Sequence, residues 1–299
     1  PKILASVAAA YPQVKTTPDL AAVLDDADVQ AVVVATPAPS HYEVVRQVLE
    51  RGKHAFVEKP MTLSVKDGEA LLELADKKNL QLMVGHLLEY HPCVLKLKEL
   101  ISTGQLGQVY YAYMHRLNLG VVRKDENAWW SLAPHDVSVA LFLFEAEPVA
   151  VTCQGQAYLR QGVEDVVFAQ LKFADGRMAS IHVSWLDPHK IRKVTLVGTR
   201  KMVTFDDMEA TEKIRIYDKS ANVTPGAVGY ADSIALRQGD ILIPFVPGGE
   251  PLRIECEHFV QCVRDGTTPR SDGRDGLRVV KVLEAASRSL ASGGAPVRL

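Results

Sequence analysis

The sequence predicts an α/β + α+β protein, in which part of a doubly wound parallel sheet is followed by a large, mainly antiparallel open sheet with helices on one side. Three observations carry this expectation. Strand and helix patterns alternate up to about residue 88, as parallel βαβ units do. Beyond it, apolar and polar residues alternate along successive runs joined by short turns, as in antiparallel hairpins. The chain has 299 residues, 47% of them hydrophobic, enough for two ordinary cores. Residues 1–88 are assigned to the first domain and 89–299 to the second.

In the first part, Pro1 to Tyr11 reads as a helix with proline at its first position, where its missing N–H is harmless. The capping residue that should precede it is absent, so the chain is expected to start partway into a fold. Asp19 to Leu24 is a short helix capped by Thr17 or Asp19. Val29 to Ala35 is a β-branched run of the kind buried on both faces of a sheet. His41 to Arg51 is a helix closed by Gly52, His54 to Val57 a strand, Ser64 to Lys78 a helix with Ser64 as its cap, and Leu80 to Val84 a third strand.

In the second part, Tyr90 to Ser102 is a helix, and Val109 to Asn118, Val149 to Ala157, Asp165 to Phe173, Met178 to Val183 and Lys190 to Val197 are strands. His135 to Phe144 is a helix interrupting them, with Pro134 at its start. Residues 218–250 are a Gly- and Pro-rich excursion, and Ile254 to Asp265 and Asp272 to Ala291 return to helical spacing.

Composition excludes several classes. The 34 basic and 36 acidic residues are intermixed, so no basic face marks a nucleic-acid partner. The longest apolar runs are too short to span a bilayer, and no signal peptide is recognised, so a cytoplasmic protein without a membrane partner is expected. The four cysteines form neither a CxxC pair nor a metal-ligand spacing. Cys256 and Cys262 read as packing.

Ligands of open parallel sheets bind outside the carboxyl ends of the strands. Three post-strand segments therefore matter: Ala35-Thr36-Pro37-Ala38-Pro39-Ser40-His41, Glu58-Lys59-Pro60, and Gly85-His86-Leu87-Leu88-Glu89-Tyr90-His91-Pro92. A lysine held after a buried strand, beside a carboxylate, can be tuned for proton transfer; the alternative for Lys59 is a solvated loop residue.

Ala35 to His41, Gly52-Lys-His-Ala-Phe-Val-Glu-Lys-Pro60 and Val84-Gly85, at these spacings, together with Leu106-Gly-Gln-Val109 and the close Ile254-Glu-Cys-Glu-His-Phe259 through Asp272-Gly-Arg-Asp-Gly276, resemble the glucose–fructose oxidoreductase / inositol dehydrogenase (Gfo/Idh/MocA) family over essentially the whole chain. The resemblance implies a Rossmann domain that binds NAD or NADP, with NAD preferred, and a second domain for substrate binding and oligomerisation. It places Lys59 beside the nicotinamide and the substrate hydroxyl as a catalytic residue. Thr36, Pro37, His41, Glu58, Lys59 and His86 would be cofactor-binding. The family's GxGxxG loop has no match among the 20 glycines, so a first βαβ portion of roughly 30 residues, about one βα unit plus a strand, is expected to be missing.

His135, in Trp129-Trp130-Ser131-Leu132-Ala133-Pro134-His135-Asp136, is the second expected catalytic residue, histidine being the usual base near neutral pH. A capping histidine and aspartate at a helix start is the alternative. Relatives often carry aspartates at the positions of Ser131 and Ser138, which leaves an Asp–His relay in doubt. Arg116, Asn118, Arg123 and Asn127 run into this segment, and with Trp130 and Asp136 they are assigned to substrate. Arginine forks suit phosphate and asparagine suits sugar hydroxyl and acetamido groups; a solvated surface loop is the other reading. The combination resembles family members acting on nucleotide-linked amino sugars of the UDP-N-acetylglucosamine 3-dehydrogenase type. The expected substrate is a sugar or nucleotide sugar oxidised at a secondary hydroxyl, at C3 of a UDP-linked N-acetylated hexosamine. Alternatives are a dehydrogenase of free sugars or inositols and a non-catalytic ligand-binding relative. The open sheet has a face to bury, so a homodimer or homotetramer is expected.

Overall fold

The computed structural model describes residues 2–124, 126–223 and 234–299. Pro1, and the part of the expected 218–250 excursion between residues 224 and 233, lie outside the described residues.

The first part contains α1 (Lys2–Ala10), α2 (Leu20–Asp25), β1 (Ala31–Val34), α3 (His41–Glu50), β2 (His54–Val57), α4 (Val65–Lys78) and β3 (Leu82–Val84). Asp19 caps α2 by accepting from the Ala21 N–H, and Ser64 caps α4 by accepting from the Asp67 N–H. The strands pair in parallel in the order β1-β2-β3. Val45, Val48 and Leu49 of α3 and Leu71 and Ala75 of α4 cover the face carrying Val34, Ala55, Val57 and Val84. Phe56 and Met83 point to the other face, where Phe259 meets them. β1 departs from the expectation of burial on both faces: Val33 is 58% exposed, because β1 is an edge strand and only Val34 of its residues is fully enclosed.

The second part adds α5 (Pro92–Ser102), β4 (Val109–Leu117), α6 (Ala128–Phe144), β5 (Pro148–Gln156), β6 (Val166–Phe173), β7 (Met178–Ser184), β8 (Ile191–Gly198), β9 (Met202–Asp206), β10 (Ile214–Tyr217), β11 (Ser220–Val223), β12 (Ile234–Arg237), β13 (Ile241–Leu242), α7 (Pro251–Asp265), α8 (Gly273–Ala291) and β14 (Val297–Arg298). Nine strands form one sheet in the order β13-β10-β9-β8-β4-β7-β6-β5-β14. All neighbours are antiparallel except β4 with β7. The β6–β7 hairpin turns at Asp175-Gly176, where Gly176 takes φ +89, a conformation open to glycine. Along β6, Val167, Ala169, Leu171 and Phe173 are buried while Phe168, Gln170 and Lys172 are exposed, so only one face carries helices.

Helix α6 starts earlier than expected. Its cap is Asn127, whose Oδ1 accepts from the Trp130 N–H, and Pro134 stands inside the helix rather than at its start. A cap seven residues upstream outweighs the local start signal of the proline, and burial of α6 between the sheet and α8 outweighs the backbone hydrogen bond the proline removes. Cys262 is buried as expected of a packing residue, but Cys256 is exposed, because six residues on a helix separate the two faces.

Helix α8 joins both cores. Leu277 and Val280 pack in the parallel-sheet core, while Val279, Val282, Leu283, Ala285 and Ala286 pack in the large-sheet core. The segment leading into it lies along β3, where the Val84 N–H donates to Ser271 O at 2.8 Å and Ser271 Oγ donates to Val84 O at 2.7 Å. Trp129, fully enclosed, donates its Nε1–H to Leu283 O at 3.1 Å and so fastens α6 to α8. Replacing a large buried aromatic leaves a cavity that the surroundings fill only in part. Trp129→Ala is expected to lower unfolding free energy by about 3–5 kcal/mol in urea titration; an unchanged midpoint would exclude this contact as the fastening.

Candidate active site

Each parallel strand ends in a segment that its neighbours fix. After β1, Ser40 Oγ donates to Thr36 Oγ1 and to Pro37 O, both at 2.8 Å. His41 is buried, with Nδ1 at 2.8 Å from Pro60 O and Nε2 at 2.7 Å from Thr36 O. Its ring therefore ties the loop after β1 to the loop after β2, and neither nitrogen is left for a ligand. After β2, Glu58 Oε2 accepts from the Lys59 N–H at 3.3 Å, and the Lys59–Pro60 peptide is cis.

Lys59 reaches across to the second part of the chain, where its Nζ donates to Ser131 O on α6 at 2.9 Å. Burial lowers the Lys59 amino group below the ordinary lysine value. Glu126 and Glu58 oppose that fall, while Arg123 and Arg116 reinforce it. Ser131 and His135 lie one helical turn apart, so Nζ meets the helix beside His135. His135 Nδ1 is enclosed without a hydrogen-bond partner. Burial, with Arg116 and Lys59 nearby, holds its imidazole well below the ordinary histidine range, hence neutral.

A cavity of about 220 Å³ opens on this rim, lined by Thr36, Pro37, Glu58, Lys59, Arg123 and Glu126 among others. Four of the expected cofactor residues, Thr36, Pro37, Glu58 and Lys59, thus line one cavity with one expected substrate residue, Arg123. The cavity, with an exposed threonine hydroxyl on one side and a desolvated amine on the other, fits the nicotinamide end of a dinucleotide. Gly85 stands close behind, where an added Cβ would lie 3.2 Å from Glu58 Oε2. Arg123 is half exposed and pairs with Glu126 at 3.0 Å.

Other expected residues are engaged elsewhere. Arg116 is forked onto Asp136, with Nε–Oδ2 at 2.7 Å and Nη2–Oδ1 at 3.1 Å, so each is already paired within the chain. Asn127 caps α6 and donates Nδ2–H to Glu164 at 2.7 Å. Trp130 donates Nε1–H to Ser287 Oγ at 3.0 Å. Asn118 is half-buried at the end of β4, held through its backbone N–H to Ser184 O. His86 is fully buried beneath the rim, its Nδ1 2.9 Å from Asp275 Oδ2 and 3.5 Å from Glu89 Oε1. Burial works against charge on His86, but Asp275 and Glu89 outweigh it and raise its pKa to about 10. Burial pushes Glu89 up to about 8.

Sequence reading passed over Glu126, Asp275 and Glu255. Glu126 stood in the quoted segment before Asn127, and its signal was one helical turn of spacing from Arg123. The other two stood in segments quoted only for the family resemblance, and nothing local gave their side chains a role.

Comparison with known proteins agrees with this geometry. Residues 3–86 match the GFO/IDH/MocA oxidoreductase family with its NAD-binding Rossmann fold, and residues 94–204 match the GFO/IDH/MocA C-terminal domain. A UDP-N-acetylglucosamine 3-dehydrogenase of Acidithiobacillus ferrooxidans is 27% identical over 85% of this chain and 76% of its own length. The scyllo-inositol 2-dehydrogenase (NADP(+)) IolW of Bacillus subtilis is 30% identical over 93% of this chain and 82% of its own. The crystal structure of GenD2 from gentamicin A biosynthesis, in complex with NAD, superposes with a TM-score of 0.81 at 26% identity, covering 100% of this chain and 86% of that one. With a parallel sheet whose rim carries Lys59, a large open sheet behind it, and relatives that match along both, the chain belongs to the GFO/IDH/MocA family of NAD(P)-dependent oxidoreductases.

Proposed function

We propose that this protein oxidises a secondary hydroxyl of a sugar, at C3 of a UDP-linked N-acetylated hexosamine, with NAD as hydride acceptor. The observation that carries the reading is Lys59: a desolvated amine anchored on the α6 backbone beside His135, in a cavity shared with Thr36, Pro37 and Glu58. Oxidation of an alcohol to a ketone removes a hydride from carbon and a proton from oxygen. The nicotinamide supplies the hydride acceptor. The protein must then take the hydroxyl proton, and an amine held below the ordinary lysine value is suited to that near neutral pH. His135, neutral and one turn away, is the partner for relaying it. Thr36, Pro37 and Glu58 would hold the cofactor, and His41 and His86 would fix the loops that carry them.

For the nucleotide sugar, support comes from likeness to the UDP-N-acetylglucosamine 3-dehydrogenase and from Arg123, half exposed at the cavity mouth with a donor fork suited to phosphate. A second reading, a dehydrogenase of free sugars or inositols, is favoured by Arg116 being closed onto Asp136, which leaves one arginine rather than two for phosphate. We further propose a homodimer or homotetramer formed through the open face of the large sheet. A row of rings crosses it, from Tyr111 through Tyr113 and His115 to His182 and Phe168, and Phe168 is 52% exposed.

Three outcomes are expected. Lys59→Met should lower kcat/KM for oxidation by about 10²–10⁴-fold. In the unaltered protein kcat/KM should fall as pH drops through the lysine's lowered pKa and level off below 10.5, its ordinary value. A variant with full activity and the same limb would remove Lys59 from the chemistry. In steady-state assays with NAD and NADP against UDP-sugars, glucose and inositols, Arg123→Ala should raise KM for a UDP-sugar by about tenfold while sparing free sugars, the scale of one charged hydrogen bond. Turnover of inositol or glucose with none of any UDP-sugar would replace the first reading by the second. Finally, Phe168→Asp should yield a smaller species in light scattering, and an unchanged mass would move the interface elsewhere.

A further inference from the structure

Beneath the rim lies a second cluster, whose side chains do not line the cavity of Lys59. His86 and Glu89 on the turn after β3, Asp275 in the first turn of α8 and Glu255 on α7 are all at least nine-tenths buried. Three carboxylates around one imidazole is an unusual load for a protein interior, since an unpaired buried charge costs several kcal/mol. The hydrogen bonds do not discharge it. Among the described residues, Glu89 Oε1, Glu255 Oε1 and His86 Nε2 make no hydrogen bond although each is enclosed, and Glu89 Oε1 has only the 3.5 Å approach of His86 Nδ1 as an ion pair. Orphaned buried atoms gathered in one place call for a common explanation, and an ion is one.

The donor atoms are spaced for it. His86 Nδ1, a carboxylate oxygen of Glu89 and one of Asp275 all lie within 4.8 Å of one another, with Nδ1 at 2.9 Å from Asp275 Oδ2 and 3.5 Å from Glu89 Oε1. Ligands held about 2.1 Å from a zinc ion in tetrahedral or octahedral geometry stand roughly 3.0–3.4 Å apart. Imidazole nitrogen with carboxylate oxygens is a zinc-type donor set. Glu255, also enclosed, is near enough to feel the charges of His86 and Glu89.

A way in also exists. Glu89 and Asp275 line a groove of about 510 Å³ between α6 and α8, on the outer side of the cluster. The three arginines of that groove are already committed: Arg270 donates to Glu89 O and lies over Tyr90, Arg274 pairs with Asp76, and Arg278 pairs with Glu147 and Asp275. Glu58 and His135 complete the charged and titratable surroundings on the inner side.

We propose that His86, Glu89 and Asp275 form a binding site for one divalent cation of the zinc type, which clamps the turn after β3 to the start of α8. Such an ion joins the parallel sheet to the helix shared by both cores, so it is structural and stands apart from the proton chemistry at Lys59.

The test uses the whole protein, stripped with a chelator and titrated with ZnCl₂ alone by calorimetry, alongside thermal unfolding. One equivalent per chain and a higher unfolding midpoint are expected. Glu89→Gln and Asp275→Asn, both nearly isosteric, should fold yet bind at least about tenfold more weakly. His258 and Cys262, 3.5 Å apart on α7, are the competing zinc ligands, so Cys262→Ser should leave the stoichiometry at one. Absence of uptake at millimolar zinc would overturn the site and leave the cluster held by shared protons. So would uptake that Glu89→Gln and Asp275→Asn do not weaken, or that Cys262→Ser abolishes.

Discussion

Two sheets with different topologies share one helix, and the position of everything at the candidate site follows from that. α8 enters along β3 through the backbone and side-chain bonds of Ser271, places Leu277 and Val280 under the parallel sheet, then runs on with Val282, Leu283 and Ala286 under the large one. A helix rises about 1.5 Å per residue, so its 19 residues span close to 28 Å, enough to reach both cores. Buried side chains are packed nearly as in crystals, and such a helix cannot turn relative to one core without disturbing the other. Trp129 and Trp130 bond to Leu283 and Ser287 of the same helix, so α6 inherits its position from α8.

That inheritance sets the geometry of Lys59. The lysine comes from the rim of the parallel sheet, and the carbonyl it meets belongs to α6, which is packed on the large sheet. A buried ammonium held by a single carbonyl is poorly solvated, which is why its affinity for a proton falls. Arg116 lies on β4, forked to Asp136, and contributes positive potential toward both Lys59 and His135. Arg116, although paired with Asp136, therefore lowers the affinity of both Lys59 and His135 for a proton. It acts on them through field rather than through touch.

Much of the fold was legible because local chemistry decided it. β2 occupies the residues expected from its apolar run, and Ser64 caps α4 through the hydrogen bond its side chain suggested. Lys59, Thr36, Pro37 and Glu58 were findable because the carboxyl rim of a parallel sheet collects post-strand segments from different parts of a chain. What escaped was decided by distant partners. The start of α6 depends on Asn127 bonding to Glu164 as well as capping, and a proline in the chain pointed to a later start. Arg116 and Asp136 are 20 residues apart, and His86 and Asp275 are 189 apart. Side chains that look free in sequence were already committed to each other in space. Local spacing reveals which groups could bind a ligand, but not which have been claimed.

The distinction bears on how the site chooses its substrate. Of the six residues first assigned to substrate, Arg116, Asn127, Trp130 and Asp136 hold intramolecular partners, and those bonds oppose any ligand that needs the same atoms. A broken buried hydrogen bond costs about 1–3 kcal/mol and a broken buried ion pair about 3–5 kcal/mol, more than one new contact with a hydroxyl returns. Arg123 is different: it is half exposed, and its Glu126 partner also faces the cavity. The pair is open to solvent on the Arg123 side only, since Glu126 is largely covered. Glu126 favours the charged form of Lys59 and Arg123 opposes it, so the two members of this pair act on the lysine in opposite senses. Any movement of Arg123 away from Glu126 would shift that balance toward the charged amine.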